Sequence, residues 1–119
     1  MKDIGLTSHD IDLIRGVFLR FPAIREVALY GSRAKGTHRS ESDIDLALMG
    51  IDDDIQAEAV ADELEELPLP YRFDVKAYDS ITYVPLREHI ARVGIFLYRR
   101  DSSDKDTAAT NPITAPNIT

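Results

Sequence analysis

The stretch that decides the fold runs from residue 31 to residue 49, GSRAKGTHRSESDIDLALM. Its last part, 43–49, is short and largely apolar and ends before Gly50, which predicts a β-strand. Side chains two positions apart on a strand share a face, so Asp43 and Asp45 would lie together with Cα atoms roughly 7 Å apart. The intervening Ile44 would point into the core and orient both acids. Two such carboxylates repel each other, and at neutral pH they either share a proton or hold a cation.

The segment before this strand predicts a phosphate-binding turn. Residues 25–30, REVALY, are apolar and bounded by Gly31, which is typical of a strand covered on both faces. The polar residues 31–42 predict a loop with at most one helical turn. Gly31 would let the backbone approach a ligand, while exposed N–H groups and the Ser32 hydroxyl could donate to phosphate oxygens. An anion-binding turn and a carboxylate pair are therefore expected at one edge of the sheet.

A third acid lies in a later predicted strand, 72–78, where Asp74 belongs to the polar face. If that strand neighbours the one at 43–49, Asp74 lies close to Asp43 and Asp45. Hard carboxylate oxygens suit Mg²⁺, and three of them are what a two-metal displacement with ions about 3.5 to 4 Å apart needs. The simpler alternatives are a solvent-exposed Asp74 and an Asp-x-Asp pair that serves as a cap or a solvated edge.

The remaining elements predict a single α+β domain, a small mixed β-sheet with helices packed on it. Thr7 or Ser8 is expected to cap a helix over 8–21 that Pro22 ends, and Gly94 is expected to end a helix over 85–93. A third helix is predicted over 52–67 by the apolar spacing of Ile55, Ala59, Val60, Leu64 and Leu67. The final apolar run predicts a strand over 95–100. The strands at 25–30 and 43–49 are expected to pair antiparallel. Residues 101–119 hold almost no large apolar side chain, so we expect a domain over 1–100 and a disordered or artificially added tail over 101–119.

Composition narrows the function classes. The net charge is −7, with 21 acidic residues against 14 Lys and Arg, which argues against a nucleic-acid backbone as the main partner. The sequence has no cysteine, so disulfides and thiolate chemistry are excluded. It also has no apolar run of about 18 residues and no leader pattern, so we expect a soluble cytoplasmic protein without membrane contact.

Two runs of residues carry a resemblance to a known family. GSRAKG at 31–36, followed by SDIDLA at 42–47, resembles the signature of the minimal nucleotidyltransferases of the DNA polymerase beta superfamily. The resemblance implies the polymerase beta-like nucleotidyltransferase fold, with ATP as substrate and two Mg²⁺ ions. It implies that Gly31 and Ser32 bind the triphosphate, and that Asp43 and Asp45 bind the metal. Asp74 would complete the catalytic and metal-binding acids.

Arg33 lies inside the same signature. The resemblance implies that Arg33 is one of the nucleotide-binding residues. It could contact a phosphate of the nucleotide, or it could stabilise the acidic cluster. An ion pair with a neighbouring carboxylate is an equally open interpretation.

Short members of this family are commonly paired with a separate helical protein of the HEPN class. The resemblance therefore implies a toxin–antitoxin system, in which the nucleotidyltransferase is the antitoxin and adenylylates a tyrosine of the HEPN toxin. One alternative is nucleotidyl transfer to a small hydroxylated molecule such as an aminoglycoside, which would ordinarily require an additional domain. The other is a non-enzymatic module that neutralises its partner by binding alone.

Overall fold

The computed structural model describes residues 3–100, and within them helices alternate with the strands of one sheet. The predicted tail, 101–119, lies outside the described residues. In chain order the elements are α1 (Ser8–Leu19), β1 (Glu26–Tyr30), α2 (Gly31–Lys35), β2 (Ile44–Met49), α3 (Asp54–Glu65), β3 (Phe73–Ala77), a 3-10 turn (Tyr78–Ser80), α4 (Val84–Val93) and β4 (Ile95–Arg99).

The four strands form a mixed sheet in the order β3-β2-β1-β4. β1 pairs antiparallel with both β2 and β4, whereas β2 and β3 run parallel. A parallel pair needs a crossover connection, and α3 provides it between β2 and β3. The predicted α+β class, with its mixed sheet and its antiparallel first pair, is confirmed.

Helix α1 begins with a reciprocal capping box. The Thr7 N–H donates to Asp10 Oδ2 at 3.0 Å, and the Asp10 N–H donates to Thr7 Oγ1 at 3.0 Å. The helix ends at Leu19, two residues before the predicted end, because the N–H groups of Arg20 and Phe21 bond the carbonyls three positions earlier. This tighter turn closes the helix before Pro22.

The sheet is covered on both faces, and the two faces differ in size. Below it, α1 and α3 pack on the larger core, which is formed mainly by Ile14, Phe18, Leu29, Ile44, Leu46, Leu48, Val60 and Leu64. Above it, α4 packs on a smaller apolar cluster built around Ala28, Tyr30, Ala47 and Ile90. Asp45 and Asp74 lie on the same face of the sheet as Tyr30 of that cluster, and both are only partly buried.

The apolar face predicted for α3 is partly wrong. Ile55 and Ala59 were expected to be buried, but both are exposed, Ile55 by 79%, whereas Ala57, Val60 and Leu64 are buried. Two residues along a helix correspond to a rotation of about 200°, so Ile55 points nearly opposite to Ala57. The helix also spans 54–65 rather than 52–67, because Asp53 caps it through the Gln56 N–H at 2.7 Å.

The other predicted elements agree with the structure to within a residue or two at each end. α4 begins one residue earlier than predicted, with Pro85 in its first turn, and Gly94 ends it. Within residues 3–100, no helix is long and apolar enough to cross a membrane.

Candidate active site

The parallel register of β2 and β3 places Asp45 directly beside Asp74. Such partners lie on the same face of the sheet, with Cα atoms about 4.8 Å apart. The expected adjacency of Asp74 is thus confirmed for Asp45. Asp43 lies one residue before β2 begins, so it belongs to the loop end rather than to the predicted strand, and it is exposed.

The three carboxylates influence one another electrostatically. Burial, followed by the negative charges of Asp74 and Asp43, raises the pKa of Asp45 from 3.8 to about 6. The nearby cations Lys76 and Arg33 oppose this effect without cancelling it. Excess negative potential is therefore concentrated at the beginning of β2, which is the condition that favours a bound cation.

Lys76 is a member of the site that the sequence interpretation missed. Its Nζ lies 3.3 Å from Asp74 Oδ1, and both side chains are about half exposed. Lys76 follows Asp74 by two positions on β3 and so shares its face. The same alternation that joined Asp43 with Asp45 could have predicted this pair.

Tyr30 forms a buried wall of the site and was also missed. It pairs with Asp45 across β1 and β2 and is 5% exposed. Its hydroxyl has no hydrogen-bond partner within residues 3–100. Burial, and then the charges of Asp74 and Asp45, raise the pKa of its phenol, while its ring meets His89 edge-on at a centroid distance of 6.1 Å. The sequence could have indicated this role, because Tyr30 lies directly before Gly31, at the end of a buried strand.

Gly31 turns the chain from β1 into the short helix α2. Its φ is +76°, a conformation that residues with a side chain rarely adopt. A Cβ at this position would also overlap Asp45 Oδ2. Glycine is therefore required both by the backbone and by the close approach of a site carboxylate. The predicted helical turn is present, and Ser32 is its second residue and half-buried.

Arg33 is buried, with 1% of its surface exposed, and it holds the loop together from inside. Its guanidinium lies 5.0 Å from the Tyr71 ring centroid and donates hydrogen bonds of 2.9 to 3.4 Å. The acceptors are the carbonyl oxygens of Ile4, Gly5, Ser40 and Ser42. These bonds go to the backbone and not to a carboxylate, so they do not form the ion pair considered above. Its charge does lower the pKa of Asp45, and a direct phosphate contact stays a prediction.

The acids at the beginning of β2 and β3 suit a divalent metal by their chemistry more than by their present side-chain orientations. Within residues 3–100, no three Asp, Glu, His or Cys side chains converge as a metal site would require. The donor set nevertheless consists of hard oxygens with surplus negative charge, as the raised pKa of Asp45 indicates. Because Asp74 is turned toward Lys76, binding would require it to leave that ion pair.

The family model described as polymerase beta nucleotidyltransferase matches residues 12–103. The chain belongs to this family. Membership supports nucleotidyl transfer as the activity, and the match runs from within α1 through β4, including every candidate site residue. No curated protein matches the chain significantly.

Solved structures of toxin–antitoxin systems show the same fold. A toxin–antitoxin structure with AMP-PNP is 25% identical, with a TM-score of 0.65 over 81% of this chain and 78% of that chain. A mutant MntA-HpeT toxin–antitoxin structure is 28% identical, with a TM-score of 0.58 over 80% and 73%. The complex of a tri-AMPylated Shewanella oneidensis HEPN toxin with an MNT antitoxin is 22% identical, with a TM-score of 0.53 over 80% and 77%. The predicted resemblance to the minimal nucleotidyltransferases is thereby confirmed.

Proposed function

We propose that this nucleotidyltransferase transfers AMP from ATP to a tyrosine of a HEPN-type toxin and acts as the antitoxin of that pair. The observation that carries the proposal is the pairing of Asp45 with Asp74 on parallel strands, directly beside the glycine turn at Gly31. This arrangement places an acidic surface that favours cation binding next to a backbone that a phosphate could approach. Those are the two requirements of phosphoryl chemistry on a nucleotide.

The proposed roles follow from position. Asp43, Asp45 and Asp74 would be the catalytic acids and the ligands of Mg²⁺, with two ions per site. When bound, Mg²⁺ supplies charge neutralisation at the phosphates and activation of the attacking hydroxyl. Asp74 lies on the edge strand β3 and its side chain is half exposed, so we assign it the acceptor proton.

The nucleotide would be held by the turn that follows β1. Gly31 leaves room for the phosphates, and the Ser32 hydroxyl with the first N–H groups of α2 donates to their oxygens. Arg33 contributes by fixing the loop that carries these groups, in addition to the phosphate contact predicted for it. The tyrosine oxygen bonds to the α-phosphorus, the bond from that phosphorus to the bridging oxygen breaks, and pyrophosphate leaves with the electron pair.

The choice of acceptor is supported by the neighbours rather than by the site alone. Structures at 25% and 28% identity are toxin–antitoxin systems, one of them with the ATP analogue AMP-PNP. A further complex, with the same fold, contains a HEPN toxin that carries three AMP groups. A HEPN-type partner with an accepting tyrosine is therefore the substrate that we propose.

The proposal is tested by incubating the full chain with ATP, Mg²⁺ and the HEPN-type protein encoded beside it. Intact-mass spectrometry should show that protein gaining one or more AMP groups, and tryptic mapping should place them on tyrosine. Asp45→Asn should abolish the gain, and the matched exposed control on α3, Asp62→Asn, should not.

Three results would contradict the proposal. The first is an unchanged partner mass. The second is adenylylation of an aminoglycoside without any protein partner, which would support the small-molecule alternative. The third is full neutralisation of the toxin by the double variant Asp43→Asn with Asp45→Asn, which would support binding alone.

A further inference from the structure

A groove of about 410 Å³ lies at the outer edge of the sheet, next to the proposed catalytic acids. It is enclosed by the beginning of α3, by β3 and by the segment 80–86. Its apolar lining consists of Ala57, Val75, Ile81, Tyr83 and Leu86. Lys76 also lines the groove, and the same Nζ lies 3.3 Å from Asp74 Oδ1. A chain seated in the groove would therefore lie beside Asp74.

The groove exposes one large apolar side chain. Five large apolar side chains are exposed within residues 3–100, and one of them, Tyr83, lines the groove and is 68% exposed. Tyrosine combines a large apolar ring with a polar hydroxyl, which is why it is enriched among the residues that anchor protein interfaces.

The rim of the groove is acidic. Asp54 and Glu58 line it from α3 and both are exposed, while Asp52 and Asp53 precede them in the chain. The lining contains one opposing cation, Lys76, which is already paired with Asp74. A ligand with Lys or Arg beside an apolar side chain would thus be complementary to the rim.

The two walls of the groove are joined by hydrogen bonds. Ser80 Oγ lies 2.9 Å from Asp54 Oδ1 and 2.9 Å from the Ala77 carbonyl oxygen, and these two acceptors share its single hydroxyl proton. These contacts connect the first turn of α3 with the end of β3. The groove is thus preformed, which reduces the entropy that docking would cost.

We propose that this groove docks the acceptor segment of the protein partner, with an apolar side chain of that segment against Tyr83 and Leu86 and a basic side chain opposite Glu58. The inference rests on the proposed function, because the docked segment is the one that carries the acceptor tyrosine. Docking beside Lys76 places that tyrosine within reach of Asp74 and so selects which hydroxyl is adenylylated.

The test measures the affinity of the full chain for the HEPN-type protein encoded beside it, by calorimetry without ATP and at two salt concentrations. Tyr83→Ala should weaken binding by about tenfold or more, because buried tyrosines dominate interfaces. Glu58→Lys should weaken it by about threefold to tenfold at low salt and by less at high salt, because charge pairs at a rim are screened. Both residues are exposed, so folding should be preserved.

Matched controls exist for both variants. Leu19→Ala removes a comparably exposed apolar side chain (62%) from α1, which does not line the groove. Asp62→Lys reverses an exposed acid on α3 that does not line the groove. Both controls should bind the partner as the unmodified chain does.

The outcomes separate this inference from the proposed function. Loss of affinity in both groove variants, with the controls unaffected, supports docking. If no AMP is transferred in the same system, only the proposed activity is contradicted. AMP transfer whose KM for the partner is unchanged by Tyr83→Ala and Glu58→Lys would overturn docking and leave the activity standing. Docking is also overturned if the partner does not bind at all, or if Tyr83→Ala abolishes self-association of the chain, which would assign the groove to a second copy.

Discussion

Two neighbouring regions of the molecule differ in how well their charges are compensated. Around Arg33, a buried cation has backbone acceptors on several sides and an aromatic ring across its face. Around Asp45, by contrast, like charges face one another, and the only nearby compensation among residues 3–100 comes from two cations that do not restore the usual pKa. The two regions are joined by the loop 31–43.

The difference shows which region holds the fold and which is prepared for a ligand. The Arg33 cluster is complete as it stands, since its hydrogen bonds tie the segment before α1 to the loop. The acid cluster is electrostatically incomplete, and a bound cation would complete it. Clusters that carry unbalanced charge at a sheet end are typical of functional sites, where stability is lower than it could be.

The largest expected effect comes from breaking the acid cluster chemically. Asp74→Asn should reduce the rate of AMP transfer by about a thousandfold or more, equivalent to about 4 kcal/mol of barrier, because a metal-binding carboxylate is lost. Single-turnover kinetics with the HEPN-type partner measure this. A rate within tenfold of the unmodified chain would exclude Asp74 from the catalytic acids.

The second-largest effect is expected in the cluster around Arg33, whose charge is fully compensated. Arg33→Met should destabilise the domain by about 3 kcal/mol, because several partly buried carbonyl oxygens lose their donor. Thermal unfolding should shift down by about 10 °C or more. Arg39→Met, an exposed cation of the same loop, should change stability by less than about 0.5 kcal/mol. Equal melting temperatures for the two variants would show that Arg33 does not stabilise the fold.

A smaller effect lies where the two regions meet. Gly31→Ala should cost about 2 kcal/mol and displace Asp45, because φ is +76° and the new Cβ would overlap Asp45 Oδ2. Gly16→Ala is the matched control, since Gly16 lies within α1 with no atom near its Cβ position, and it should stabilise by about 0.5 to 1 kcal/mol. Urea unfolding distinguishes the two signs, and stabilisation by Gly31→Ala would contradict the close approach described here.

The smallest effect concerns the pH dependence of the acid cluster. Because the folded pKa of Asp45 is about 6 against 3.8 when unperturbed, the folded state holds more protons between these values. Stability therefore falls as pH rises from about 4 to about 6 and stays lower above that range. Asp45→Asn should match the unmodified metal-free chain near pH 4 and exceed it at pH 7.5. At pH 7.5 the free energy of unfolding of Asp45→Asn should exceed that of the unmodified chain by about 1 kcal/mol, once solvent screening of this half-exposed group is allowed for.

Melting temperatures with chelator across pH 4 to 8 measure this difference. Added Mg²⁺ should stabilise the unmodified chain at pH 7.5 more than Asp45→Asn, because the cation binds the carboxylates. A constant offset between the two proteins at all pH values would show that Asp45 does not titrate as described.

Much of the fold and part of the site could be predicted from local pattern. Thr7 as a cap, the stops at Pro22 and Gly94, and the alternation in β2 and β3 act over a few residues, so the sequence reveals them directly. Ile55 was misplaced because the phase of a helix depends on which residues face the sheet, and a short apolar pattern tolerates more than one phase. The roles of Gly31, Ser32, Arg33 and the three acids stay predictions until activity is measured.

The sequence by itself determined most of the elements, the glycine turn and the position of Asp45 on a strand, because each depends on backbone geometry repeated over two to four residues. Only the tertiary structure decided that Asp74 stands next to Asp45 and that Arg33 is enclosed by carbonyl oxygens. Those contacts join residues from different strands and loops. Strand order and burial set them, and no periodicity along one segment encodes either.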